Sequence, residues 1–122
     1  MATTDNLAAA FAGESQANRK YLAFAKKADT DGFPQIAKLF RAAAEAETVH
    51  AHAHLRAMKG VGETAENLAA AIEGEGHEFK KMYPKFIAEA KAEGNKAALM
   101  SFENANVVEE IHHGLYSEAL AT

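Results

Sequence analysis

ETVH (Glu47–His50) lies where an amphipathic helix should be apolar. Upstream of it, Ile36, Leu39, Phe40 and Ala43 recur at three- and four-residue spacing, which marks the face of a helix that turns toward a core. The same step continues onto Glu47 and then His50. A carboxylate and an imidazole are costly to dehydrate, so their place on that stripe requires a reason. The fourth part of the chain repeats the pattern: EEIH puts Glu109 and His112 62 positions after Glu47 and His50.

The repeat extends well beyond the tetrapeptide. Phe24, Gly32 and Phe40 recur as Phe86, Gly94 and Phe102 at the same offset of 62, whereas Glu14 recurs as Glu75 at an offset of 61. One residue has therefore been inserted between the two early segments. A helical hairpin that occurs twice closes its apolar face on its twin, and the expected fold is all-α, a four-helix bundle with an approximate two-fold axis.

The four helices are legible individually. The first is expected from about Thr4 to Asp29, with Leu7, Phe11, Glu14, Asn18, Tyr21, Phe24 and Ala28 inward, ended by the TDG at Thr30 to Gly32. The second starts near Pro34, a favourable first-turn position, and lasts to about Met58 before Gly60 and Gly62. The third opens at Thr64 or Ala65, turns Leu68, Ile72, Glu75, Phe79, Met82 and Phe86 inward and stops at Gly94, with a kink or a lost hydrogen bond expected at Pro84. The fourth carries Leu99, Phe102, Asn106, Glu109, His112 and Tyr116. The expected organisation is one domain over 1–122, with hairpins over 4–58 and 66–120 and a linker over 59–65.

Composition narrows the function classes. At 122 residues and 48% apolar, the chain can bury a core without staples. A net charge of −4 argues against a nucleic acid or anionic membrane as partner, since both need a concentrated basic patch. Absence of cysteine excludes disulfides, thiolate catalysis and thiolate-bound metal within this sequence. MATTDNLAAAF lacks a basic leader, and no apolar run approaches the ~20 residues that span a bilayer, so a cytoplasmic protein is expected.

Residues three apart on a helix point roughly the same way, so each Glu-x-x-His can grip one metal ion. Glu14 and Glu75 add a carboxylate from each of the other two helices, completing the inventory of a di-iron or di-manganese carboxylate site. Glu78 is a fifth carboxylate, with only Gln16 and Ala17 at the matching place in the first helix. One inward Glu or His is ordinarily a boundary residue or a hydrogen-bonded core histidine. Seven such residues at matching heights are different, because burying five carboxylates without cations would exceed a domain's stability of about 5–15 kcal/mol. Of the remaining histidines, His52 is expected to face solvent, and His54, His77 and His113 to be boundary residues or to support ligands. Tyr21 and Tyr83 are either plain core or phenols hydrogen-bonded to ligating carboxylates.

These stretches resemble the rubrerythrin family over nearly the whole chain: FAGESQANRKY its first helix, AEAETVH its second, AAIEGEGHEFKKMYP its third and VVEEIHHGLY its fourth. The resemblance implies a ferritin-like bundle with two iron ions per site. It implies Glu47 and Glu109 as bridging ligands, Glu14 and Glu75 as terminal ones, and His112 on one iron. The other iron would exchange between Glu78 and His50, with Tyr21 and Tyr83 hydrogen-bonded around the centre. With no cysteine, the chain resembles the short branch lacking a rubredoxin module, so an external donor such as a rubredoxin-type protein is implied.

Oxygen-rich, thiolate-free ligation suits iron or manganese, and zinc is a possible substitute during purification. Two irons together supply two electrons, which points first to a peroxidase that reduces hydrogen peroxide to water in oxidative-stress defence. A ferroxidase or an iron- or manganese-handling protein that reacts with dioxygen is the alternative, and a metal-free interaction bundle the third. The short connection after the second helix leads to one further expectation, a domain-swapped homodimer with two di-iron sites.

Overall fold

The computed structural model describes residues 2–122, and among them every regular element is helical. Helix α1 spans Ala2–Thr30 and α2 spans Pro34–Ala57. A third, continuous rod consists of α3 (Thr64–His77), a π-helical turn (Glu78–Met82) and α4 (Tyr83–Glu93), and α5 (Lys96–Ala121) follows. The chain divides between Val61 and Gly62 into two compact units. Hairpin 1 packs α1 on α2, and hairpin 2 packs α3 and α4 on α5.

Backbone chemistry explains the boundaries. After α1, Gly32 takes φ 85°, where a Cβ would be strained. That turn lets Phe33 N–H donate to Ala28 C=O at 2.8 Å and Gly32 N–H to Asp29 C=O at 3.1 Å, satisfying carbonyls the helix end leaves free. Gly94 repeats the device at φ 70°, with Asn95 N–H on Ala90 C=O at 3.0 Å. Asn95 then caps α5, its Oδ1 accepting from Ala98 N–H at 3.0 Å. The third helix opens at Thr64, the earlier of its two expected starts. Glu66 Oε1 accepts from Glu63 N–H at 2.9 Å, and Asn67 clasps Gly62 through N–H and C=O at 2.8 and 3.0 Å.

The seam of hairpin 1 is alanine. Ala25 and Ala28 on α1 meet Ala37 on α2, with Phe40 against them, and Ala44 and Ala51 continue the buried line at heptad spacing. Phe24, Ile36 and Leu39, expected inward, are instead 46%, 47% and 68% exposed. Small residues let the two backbones approach closely, and bulky apolar neighbours are left on the flanks. The inward faces expected for α3 to α5 hold: Leu68, Ile72, Glu75, Phe79, Met82, Phe86, Leu99, Phe102, Asn106, Glu109, His112 and Tyr116 are all half-buried.

Pro84 does not simply kink its helix. The departure from α geometry lies just before it, where Tyr83 N–H donates to Glu78 C=O, five residues back. Pro84 then occupies the first turn of α4, where a missing N–H costs little. A π turn holds one residue more than an α turn, and the repeat offset changes from 61 at Glu75 to 62 at Tyr83 across this place. The inserted residue is absorbed there.

Candidate metal centre

In hairpin 1, α1 supplies Glu14, and α2 supplies Glu47 and His50 one turn apart. One ligand atom from each falls within 4.8 Å of the others. His50 Nδ1 lies 3.4 Å from Oε1 of both Glu14 and Glu47. In hairpin 2, α3 supplies Glu75, and α5 supplies Glu109 and His112, again within 4.8 Å. There His112 Nδ1 is 3.5 Å from Glu75 Oε1. Six of the seven residues expected at the site thus form two matching triplets, one per hairpin.

A metal ion fits these triplets on two counts. Ligands about 2.1 Å from an ion sit roughly 3–4 Å from one another, which is the separation of His50 from Glu14 and Glu47 and of His112 from Glu75. Moreover, Oε2 of Glu14 and of Glu75 are buried without a hydrogen-bond partner. A carboxylate oxygen is an acceptor only, and leaving it dry without a donor or cation is unfavourable. Among the described residues the lysine and arginine ion pairs are Lys27–Asp31 and Arg41–Asp29, near the α1–α2 turn, and neither involves these glutamates.

Glu78 stands apart from the triplets. It begins the π turn, is half-buried, and lines a groove of hairpin 2 with Ala70, Glu73, Gly74, His77 and Met82. Tyr21 stacks on Phe40 and is tilted against Phe24, and Tyr83 meets Phe86 edge-on and is tilted against Phe102. Within its own hairpin neither phenol hydroxyl donates to a carboxylate.

The other histidines separate clearly. His52 is exposed, as expected. His77 is exposed too, not at the boundary, because the third rod turns it to the outer side of α3. His113 packs edge-on against Phe79 with ring centroids 5.1 Å apart, and close enough to Gly76 that a Cβ there would meet its ring at 3.3 Å. His54 comes nearest to the centre, its Nε2 2.5 Å from Glu14 Oε2. Asn18, half-buried beside the triplet's helix pair, donates to Ala44 C=O at 2.7 Å and to Thr48 Oγ1 at 2.8 Å.

Two helical hairpins, each bearing a carboxylate on one helix and a Glu-x-x-His on another, define the ferritin-like class of carboxylate-rich metal proteins. The rubrerythrin family model matches residues 5–120, and the chain belongs to that family. It is 34% identical to rubrerythrin-2 of Clostridium acetobutylicum over 96% of this chain and 71% of the relative. It is 39% identical to nigerythrin of Nitratidesulfovibrio vulgaris over 96% of this chain and 65% of that protein. For the rubrerythrin of Porphyromonas gingivalis the identity is 38%, over 98% and 66%. The solved structure of nigerythrin in its fully reduced, all-ferrous state is similar with a TM-score of 0.50 at 36% identity, covering 98% of this chain and 66% of that one. The chain thus spans about two thirds of the length of these relatives. Among the described residues no helix is long and apolar enough to cross a membrane.

Proposed function

We propose that this chain is a di-iron peroxidase that reduces hydrogen peroxide to water with electrons from an external donor such as a rubredoxin-type protein. The observation that carries the reading is the pair of matching half-sites, with a buried Glu75 oxygen in hairpin 2 that has no donor. A bound pair of irons supplies two electrons at once, the number needed to take a peroxide to two waters without releasing a radical. Glu47 and Glu109 would be the shared ligands, Glu14 and Glu75 terminal ones, and His112 the imidazole of one ion. His50 and Glu78 are the alternative ligands of the other. Manganese or zinc would fit the same oxygen and imidazole donors. Tyr21 and Tyr83, each set in an aromatic cluster, would serve the centre as phenol O–H donors to its carboxylates once the two half-sites are joined.

Support for peroxide as the oxidant comes from Glu78. It is an additional carboxylate brought in by a one-residue insertion, and a π turn in a helix is frequently tied to a functional site. Stopped-flow mixing of the anaerobic, ferrous-loaded protein with peroxide or with dioxygen tests the assignment. Oxidation by peroxide is expected to be the faster, and Glu78→Ala should lose it while retaining iron. Faster oxidation by dioxygen, untouched by Glu78→Ala, would instead support a ferroxidase or metal-handling role.

The proposed assembly is a domain-swapped homodimer. Helix α2, with 24 residues, is about 36 Å long. The non-helical connection from Met58 to Glu63 reaches at most about 25 Å between its flanking helices. Re-entry at the far end of the same bundle needs a longer link. Pairing with the complementary hairpin of a second copy does not, and each centre would then draw Glu14, Glu47 and His50 from one chain and Glu75, Glu78, Glu109 and His112 from the other.

A further inference from the structure

Glu14 and Glu75 hold corresponding places in the two triplets, yet their carboxylates have different neighbours. Oε1 of each faces the histidine of its own hairpin, at 3.4 Å from His50 Nδ1 and 3.5 Å from His112 Nδ1. The second oxygens differ. Oε2 of Glu75 is buried with nothing to accept from, whereas Oε2 of Glu14 lies 2.5 Å from His54 Nε2. The two atoms are within reach but off-line, so Glu14 Oε2 also has no aligned donor. A small rotation of the ring or carboxylate brings an Nε2–H into line, and this needs only that imidazole tautomer.

His54 is one helical turn beyond His50 on α2 and is as well shielded as its partner, with both side chains 29% exposed. The place that His54 fills in hairpin 1 is taken in hairpin 2 by Tyr116, 62 positions later, whose ring centroid is 6.2 Å from that of His112. The duplication therefore retained the ligand triplets and gave only one of them an imidazole on its terminal carboxylate.

We propose that His54 is a positioning residue. Granting the metal-site reading above, it holds Oε2 of Glu14 so that Oε1 alone is presented to the ion, while Glu75 keeps both oxygens available. The two halves of the centre are then inequivalent: the Glu14 half is set in advance for one-oxygen ligation, and the Glu75 half is free to change between one and two. A group that fixes a ligand's orientation contributes to affinity without touching the ion, and its loss costs about 10- to 100-fold.

Manganese(II) titration of the full chain, read from the electron paramagnetic resonance of the free ion, tests this without any turnover. His54→Leu should weaken one class of bound ion by about tenfold and leave the other unchanged. His54→Gln, which keeps an N–H donor, should recover most of the loss, and the metal-free melting temperature should stay within a few degrees for both. In a Glu14→Ala background, His54→Leu should have no further effect, since its influence runs through that carboxylate. Unchanged affinity in His54→Leu would overturn the proposal, as would an equal loss in the Leu and Gln variants or a loss that persists without Glu14. If the unaltered chain takes up no manganese(II), iron(II) or zinc(II), the metal-site reading itself fails and this one with it, a result seen before any variant is made.

Discussion

Hairpins 1 and 2 carry the same skeleton with different surroundings. The aromatic clusters superpose in their spacing: Tyr21, Phe24 and Phe40 have centroid separations of 6.4, 6.2 and 5.5 Å, and Tyr83, Phe86 and Phe102 have 6.2, 6.1 and 5.4 Å. The triplets match in residue type and in the approach of His50 to Glu14 at 3.4 Å and of His112 to Glu75 at 3.5 Å. Next to the triplets the likeness ends. Hairpin 1 has Asn18 bonded across to α2, where hairpin 2 has Phe79 against His113. Hairpin 1 has His54 on its glutamate, and hairpin 2 has the π turn with Glu78. A duplicated hairpin must keep the residues that fill and close the bundle, but their neighbours are free to diverge, so any functional asymmetry has to reside in the groups added around the triplets.

The largest expected effect breaks the two hairpins in the same way. Glu47→Ala and Glu109→Ala should each abolish stabilisation by metal, a loss of about 2.7 kcal/mol at a metal concentration 100 times the dissociation constant, read as a lowered melting temperature. The two variants separate the proposed assemblies when co-refolded. A swapped homodimer regains about a quarter of its sites, because half of the dimers are mixed and each mixed dimer has one intact centre. Centres built within single chains regain none, and a monomeric mass at micromolar concentration with full metal content would also exclude the swap.

An intermediate effect is expected from making hairpin 2 more like hairpin 1. Deleting Lys81 from the π turn removes the inserted residue and lets the third rod continue as an α-helix through Pro84. With Pro84→Ala in the same chain, which spares the uninterrupted helix a proline in its interior, metal-free stability should change by about 1 kcal/mol or less, since the turn is a response to length and not a packing requirement. Rapid oxidation by peroxide should be lost along with the placement of Glu78. A fall of several kcal/mol in chemical denaturation would show instead that packing around Phe79 and Met82 dictates the turn.

How much of this was legible in the sequence depends on the kind of signal. The helices, their inward faces and both triplets follow from periodicity, because a helix fixes the relative direction of residues three and four apart. The alanine seam does not: hydrophobicity marks Ile36 and Leu39 as core, whereas the close approach of α1 and α2 selects Ala25, Ala37 and Ala44 by size. The insertion near Glu78 is visible as a change of repeat offset, but whether the chain takes it up as a kink at Pro84 or a π turn before it is decided by backbone hydrogen bonding. The contact of His54 with Glu14 depends on the relative height of two helices, to which spacing along one helix is blind. His77 was misplaced for a related reason: it lies two residues from Glu75, on the opposite side of the same helix.

The smallest expected effect concerns two asparagines. Asn18 donates twice, to Ala44 C=O and Thr48 Oγ1, and Thr48 retains a 3.2 Å bond to the same carbonyl. Asn18→Ala therefore removes bonds while leaving one acceptor partly satisfied, and should cost about 1 kcal/mol in urea denaturation. In hairpin 2 the counterpart of Ala44, 62 positions later, is Asn106, whose Oδ1 is buried without a partner. Asn106→Ala loses no bond to that oxygen and relieves its desolvation, which offsets the packing lost with the side chain. It should be neutral to within about 0.5 kcal/mol. If Asn106→Ala instead costs as much as Asn18→Ala, the Oδ1 atom is satisfied by a donor that hairpin 2 does not itself contain. Repeating both measurements over a wide range of protein concentration identifies that donor's source: a cost that disappears on dilution belongs to the second copy of the proposed homodimer.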